Sequence, residues 1–309
     1  MRSSIEFLIY GIGSELVLHP IAEALRERGK TCHYIDVLNF NADLGLFLGT
    51  LKNKNIYFIT SAHLYFDLKS FSQVYPSLHQ WFSPVEVISM IRPVKSFFYP
   101  HDLVEPLIAR EDMFIDLFDH VLIPLDEHSI YFRSVETTQV GWIKFDPAAL
   151  NSGITKPGGI WLFSDFGYYW RNLKQAEFLN IFALASKNNI AVKFPNWYGA
   201  DEATELLDRQ GINTFAPSLN ACQLMYEHEF VIANGISSVC LEAILLGKPV
   251  YHWLDDSLVS RERVMSKIGS RDIHFIKSLD EVCRGGCIKE QSLLGPPLFN
   301  VDAFMRVIL

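Results

Sequence analysis

The chain has 309 residues, 49% hydrophobic and 20% charged, an ordinary balance for a globular protein and enough length for two cores of about 150 residues each. A net charge of −8 excludes broad adhesion to nucleic acid or to anionic membrane, so phosphates on a ligand have to be met locally. No stretch reaches the roughly 18 consecutive apolar residues of a membrane span, and the expected setting is cytoplasmic, with peripheral membrane contact left open.

Ile5 to Tyr10 is an apolar run that leads into Gly11-Ile12-Gly13-Ser14 rather than into a cleavage site, and it reads as a buried first strand. Leu16 to Arg28 carries apolar residues at helical spacing and Gly29 closes it. Thr31 to Val37 then completes a βαβ unit, the building block of a parallel sheet. Further strands are expected at Asn55 to Thr60, Val94 to Tyr99 and His120 to Pro124.

Val140-Gly141-Trp142-Ile143-Lys144-Phe145-Asp146-Pro147 leads into a stretch rich in turn residues, Asn151-Ser152-Gly153 through Gly158-Gly159, which places a domain boundary near residue 150. Alternation resumes beyond it, with strands at Ile160 to Ser164, Ile190 to Lys193 and Asn213 to Ala216. Helices are expected at Leu173 to Asn188, Asp201 to Gln210 and Ala221 to His228. The segment Phe230 to Val250 adds a last strand, turn, helix and strand. The expected class is α/β, with two Rossmann-like parallel-sheet domains, 1–150 and 151–309, facing a cleft where ligands bind.

A dinucleotide-binding dehydrogenase is disfavoured. Gly11-Ile12-Gly13-Ser14-Glu15-Leu16 has no third glycine, and Glu15 sets the wrong sign against a pyrophosphate. The five cysteines lack zinc spacing and read as free thiols; Cys283 and Cys287 are the one close pair. No Asp-x-Asp motif offers a divalent-ion site, and adjacent Asp255 and Asp256 read as solvated.

The most informative segment is Ile232-Ala233-Asn234-Gly235-Ile236-Ser237-Ser238, followed by Leu241-Glu242-Ala243 and Gly247-Lys248-Pro249-Val250. Asn234-Gly235 turns the backbone after a buried strand, Ser237 or Ser238 caps the next helix or binds an anion there, and Glu242 lies one turn on, on the face of Ser238. With the Val140–Asp146 segment and the first glycine loop, these stretches resemble the GT-B glycosyltransferases and their relatives, the UDP-N-acetylglucosamine 2-epimerases and the CDP-glycerol phosphotransferases. The resemblance implies a nucleotide-sugar donor as substrate, bound by the C-terminal domain without cofactor or metal, and a glycan or small-molecule acceptor at the N-terminal one. Carried onto this chain, it gives Ser237 and Ser238 the phosphates and Glu242 the ribose, with Asn234, Gly235 and Gly13 shaping loops. Lys193-Phe194-Pro195 departs from the relatives' Lys-x-His-Pro by lacking the histidine, which leaves Lys193 to neutralise a phosphate.

For the base that takes the acceptor proton, Glu15 stands first, where the family places a His or Glu. His19 is an alternative, with Pro20 marking a helix start. His101-Asp102, after the run ending at Tyr99, is another, weighed against a plain helix cap. Phe163 to Arg171 reads chiefly as aromatic core, with stacking on a base or sugar and phosphate contact by Arg171 as the alternative. Arg261 and Arg263 resemble further phosphate partners or ordinary surface charges. The implied activity is glycosyl transfer in surface polysaccharide or glycoconjugate synthesis. The competing readings are a UDP-sugar 2-epimerase, a CDP-polyol phosphotransferase and a non-catalytic nucleotide-binding relative.

Overall fold

The computed structural model describes residues 4–12, 15–61, 64, 67–72, 75, 77–100, 103, 114–145, 156–196, 199–255, 258–268, 272–284 and 297–309. By contacts the chain divides into two compact units, one of Met1–Lys144 with Pro297–Leu309 and one of Phe145–Pro296.

The first unit is built on six strands: β1 (Glu6–Gly11), β2 (Thr31–Asp36), β3 (Ile56–Thr60), β4 (Lys95–Phe98), β5 (His120–Ile123) and β6 (Glu136–Gln139). All pair in parallel, in the order β2-β1-β3-β4-β5-β6. Helix α1 (Glu15–Glu27) buries Leu18, Ile21, Ala22 and Leu25, a stripe at helical spacing that explains why this segment coils against the sheet. It runs through Pro20, so the helix starts at Glu15 rather than at the proline. Helices α2 (Leu44–Leu51), α3 (Leu68–Ser72) and α4 (Pro84–Ile91) follow. The start of α4 is set by Ser83 and Glu86, whose side chains each cap the other's backbone N–H, with Pro84 in the first turn.

The second unit also has six parallel strands: β7 (Lys156–Leu162), β8 (Ile190–Lys193), β9 (Thr214–Phe215), β10 (His228–Asn234), β11 (Val250–Trp253) and β12 (Ile273–Ile276). Their order is β12-β11-β10-β7-β8-β9. Between them lie α5 (Phe166–Asn172), α6 (Gln175–Ile181), α7 (Ala200–Arg209), α8 (Ala221–Glu227), α9 (Val239–Leu245) and α10 (Arg261–Ile268). The single helix expected over Leu173 to Asn188 is instead the short α6 followed by turns, with the separate helix α5 just before it. The aromatic run folds its own helix, and Glu177 restarts the chain by accepting the Lys174 N–H. Phe163, Phe166 and Tyr169 are buried with Trp161, Phe178, Phe182 and Phe194, and the Phe166 and Phe194 rings approach to 4.8 Å. Phe163, Phe166 and Tyr169 of the aromatic stretch are therefore core, while Tyr168 is exposed.

The segment at Val140 does more than link. Trp142 N donates to Pro297 O at 2.7 Å, and Asn300 N donates to Val140 O at 2.7 Å, so the returning chain is sewn onto the end of β6. Tyr99 Oη donates to Gly141 O at 2.9 Å, accepts from Ile143 N at 3.0 Å, and its ring stacks on buried Trp142. The last helix, α11 (Val301–Ile308), capped by Asn300, packs on β6 of the first unit, whereas a division at residue 150 had left it with the second half.

Gly141 has φ +81, and a side chain there would overlap the Leu298 carbonyl. Gly141→Ala is expected to lower stability by about 2 kcal/mol or more, combining left-handed strain with that overlap. Urea denaturation of the variant beside the native chain measures the loss.

Candidate functional site

In open α/β sheets, ligands bind beyond the carboxyl ends of the strands where the strand order reverses, because the two loops there leave toward opposite faces and open a crevice. In the second sheet the reversal falls between β7, from which the order runs outward to β8 and β9, and β10, from which it runs the other way to β11 and β12. The loop after β10 is Gly235-Ile236-Ser237-Ser238, the segment singled out by its residues, and the loop after β7 is Phe163-Ser164-Asp165.

Asn234, at the end of β10 and 1% exposed, joins the two. Its Oδ1 accepts from Ser164 N at 2.9 Å, and its Nδ2 donates to Ser164 O at 2.7 Å. Both ends of the amide are satisfied by one residue's backbone, which fixes the amide's orientation and the separation of the two strand ends. Gly235 follows at φ +68, with His252 of β11 donating from Nε2 to the Gly235 carbonyl at 2.7 Å. His252 is fully buried, and burial pushes its pKa below the ordinary histidine range, which keeps it neutral with the proton on Nε2.

Ser237 is half-buried and its Oγ faces the Val239 N–H at 3.4 Å. Ser238 is buried and donates from Oγ to Glu242 Oε1 at 3.0 Å, so the expected sharing of one helix face is present. Glu242 is 2% exposed, and its other oxygen lies 3.6 Å from the Cys222 thiol on α8. The serine–glutamate pair is thus closed on itself and ties α9 to α8. Lys193, at the end of β8, is buried as well, and its ammonium donates to the carbonyls of Phe194 at 3.0 Å and Pro217 at 2.9 Å. It braces the β8 and β9 ends.

Arg171 donates to Gly167 O on its own helix at 2.8 Å, and Arg261 lies over the Phe275 ring at 4.9 Å. Cys32, Cys222 and Cys240 are free thiols; the side chains of Cys283 and Cys287 lie outside the described residues. Asp255, expected to be solvated, accepts the Tyr169 hydroxyl at 3.0 Å, and Asp256 lies outside the described residues. Among the described residues no cluster of three or more His, Cys, Asp or Glu is arranged to hold a metal ion. No described helix is long and apolar enough to cross a membrane.

In the first unit the order reverses between β1 and β3. Gly13, His101 and Asp102 lie outside the described residues, and of Glu15 only the backbone is described, as the first residue of α1. His19 is exposed on α1, with Nε2 3.6 Å from Glu23 Oε1 and its ring edge-on to Tyr34. Nothing among the described residues gathers these base candidates into one constellation.

Reading residues alone missed Ser164 and Asp165 as members of the site. Their signal is that they follow directly on the apolar run of β7, but the aromatic residues that come next read as core. The pairing of Ala233 with Leu162, which sets Asn234 beside Ser164, is a property of strand order that local pattern does not carry.

No protein-family model matches the chain, and no curated protein sequence matches it. Solved structures do share its architecture. It is similar to Methanocaldococcus jannaschii UDP-GlcNAc 2-epimerase, solved with UDP-GlcNAc and UDP, at TM-score 0.56 and 11% identity, over 99% of this chain and 98% of that one. S. aureus MnaA, solved with UDP, gives TM-score 0.57 and 13% identity over 99% and 95% of the two chains. The wall teichoic acid polymerase TagF gives TM-score 0.54 and 9% identity over 90% and 78%. At such identities the likeness concerns the fold, and the fold is the two-domain α/β architecture of the GT-B type.

Asn234→Ala is expected to cost about 2–4 kcal/mol, because the buried Ser164 N–H and carbonyl lose their partner together. Guanidinium denaturation monitored by tryptophan fluorescence reads the loss; a change under about 0.5 kcal/mol would mean that the amide does not hold the strand ends.

Proposed function

We propose that the chain is a glycosyltransferase that takes a sugar from a nucleotide-activated donor without a metal ion. The donor nucleotide sits at the β7/β10 reversal of the second unit, and the acceptor, a glycan or small molecule, is served by the first. The observation that carries this reading is the Asn234–Ser164 clasp, which holds the loops after β7 and β10 at the one place in the second sheet where ligands of open α/β folds gather.

Glycosyl transfer has two chemical needs. The departing nucleotide diphosphate gains charge as the sugar–oxygen bond breaks, and preset N–H and hydroxyl donors stabilise that charge without reorganising. The turn Gly235 to Val239 offers backbone amides, with the half-buried Ser237 hydroxyl beside them. The Ser238–Glu242 pair and the His252–Gly235 bond stiffen the turn from beneath, so its donors keep their direction. The acceptor hydroxyl must also lose its proton, and Glu15, His19 and the His101–Asp102 pair are the candidates for that base. UDP-GlcNAc and UDP, the ligands named for the neighbouring epimerase, make uridine-linked donors the first to try.

Incubation with UDP-, GDP-, CMP- and CDP-linked donors, with and without oligosaccharide acceptors, separates the possible reactions. A transferase releases nucleotide and forms a longer glycan. Isomerised nucleotide sugar without release would make the protein an epimerase, transfer of a polyol phosphate would make it a phosphotransferase, and neither release nor binding in a thermal-shift screen would contradict the proposal.

A further inference from the structure

The loops that feed the strands of the first sheet carry a row of cations. Lys30 precedes β2, Lys52 and Lys54 precede β3, Arg92 precedes β4 and Lys95 opens it. The order β2-β1-β3-β4 and its register set these loops side by side, with Glu6 opposite both Thr31 and Ile56, and Tyr57 opposite Lys95. At about 4.8 Å between neighbouring strands, the row spans roughly 14 Å along the amino end of the sheet. Lys52, Lys54, Arg92 and Lys95 are exposed.

The carboxylate at the start of β1 is already matched. Glu6 faces His33 Nε2 at 2.7 Å and accepts from Lys54 Nζ at 3.0 Å, and these partners hold its carboxyl below the usual carboxylate range. Other carboxylates lie at the flanks: Asp302 pairs with Arg28 near the end of α1, where Glu27 also lies, and Glu136 is on β6. Lys30, Lys52, Arg92 and Lys95 form no ion pair among the described residues, so the row keeps their charge. Apolar side chains interrupt it. Ile5 ahead of β1 is 40% exposed and Val94 ahead of β4 is 55% exposed, one on each side of the entry to β3. Val94 is held in place, since its N–H donates to Ile56 O at 2.8 Å.

A lone exposed apolar side chain calls for no explanation. Two of them set among cations on fixed strand entries match a surface that is anionic outside and apolar a few ångströms deeper, as a bilayer interface is. We propose that the amino end of the first sheet is a docking surface for an anionic lipid bilayer, with the cations on headgroup phosphates and Ile5 and Val94 entering the interface between them. A soluble polyanion meets the cations equally well but leaves the two apolar side chains without a partner. The overall charge of −8 is repelled by such a membrane, so attachment is confined to this face. Ligands of a parallel sheet gather at the opposite, carboxyl ends of its strands, and docking leaves those ends clear. The inference goes beyond the proposed reaction and does not depend on it.

Sedimentation of the full chain with lipid vesicles tests this. The native chain is expected to partition onto phosphatidylcholine vesicles containing about one-third phosphatidylglycerol and not onto phosphatidylcholine alone, with binding lost as salt rises from about 0.1 to about 0.5 M. The triple variant Lys52→Gln, Arg92→Gln, Lys95→Gln should lower the partition coefficient about a hundredfold, at close to fivefold per cation. Val94→Ser should lower it about fivefold while leaving retention on heparin, a soluble polyanion, unchanged. All four side chains are exposed, so the variants should melt with the native chain; if the triple variant melts early, Lys52→Gln alone, in a surface turn, repeats the test with a loss of about fivefold. Absence of partition onto the anionic vesicles, or partition untouched by the cation variants, overturns the inference. So does binding to heparin and vesicles alike with Val94→Ser without effect, which would make the edge a site for soluble polyanions.

Discussion

The organisation of the second unit depends on the Asn234 side chain. A parallel sheet that reverses its strand order leaves two loops diverging from one point, and nothing in the sheet's own hydrogen bonding stops those loops from splaying. Asn234 answers with a donor and an acceptor directed at a single residue's backbone, Ser164, within a fully packed core. An aspartate would lack the donor and a serine would reach only one group. The loop geometry above it, with Gly235 at positive φ and Asp165 in the left-handed region, is tolerable because the strand ends beneath cannot move apart.

The two sheets solve the same problem with different orders. Counting within each unit, the first runs 2-1-3-4-5-6 and the second 3-2-1-4-5-6 read from β9, so the reversal lies between strands one and three in the first and between strands one and four in the second. Glycine marks a strand end at both reversals, Gly11 closing β1 and Gly235 following β10. The first unit is closed by its own returning segment: Val140 accepts from Asn300 N, Trp142 donates to Pro297 O, and α11 packs on the edge strand β6.

Much of this was legible from residue pattern, for a physical reason. Strands buried on both faces are continuous apolar runs, and the runs ending at Tyr10, Thr60 and Lys193 locate β1, β3 and β8 to within a residue or two. Strand β6 was not legible, since Glu136-Thr137-Thr138-Gln139 is polar and lies at the sheet's edge, where burial imposes no pattern. The membership of α11 in the first unit was hidden because chain order says nothing of a return crossing. In the site, the spacing of Ser238 and Glu242 put them on one face, but burial, and so their commitment to one another and to Cys222, depends on α8 packing over them. Asp165 looked like one polar letter before an aromatic run; only the neighbouring strand shows that its carboxylate lies over a glycine.

The central claim is that a donor nucleotide binds at the clasped ends of β7 and β10. Hydrogen–deuterium exchange with and without saturating UDP-N-acetylglucosamine tests it most directly, because backbone amides in a bound turn are protected while distant ones are not. The account predicts protection concentrated at residues 163–166 and 234–242. Protection elsewhere with these two loops unchanged, while the ligand is demonstrably bound, would contradict it.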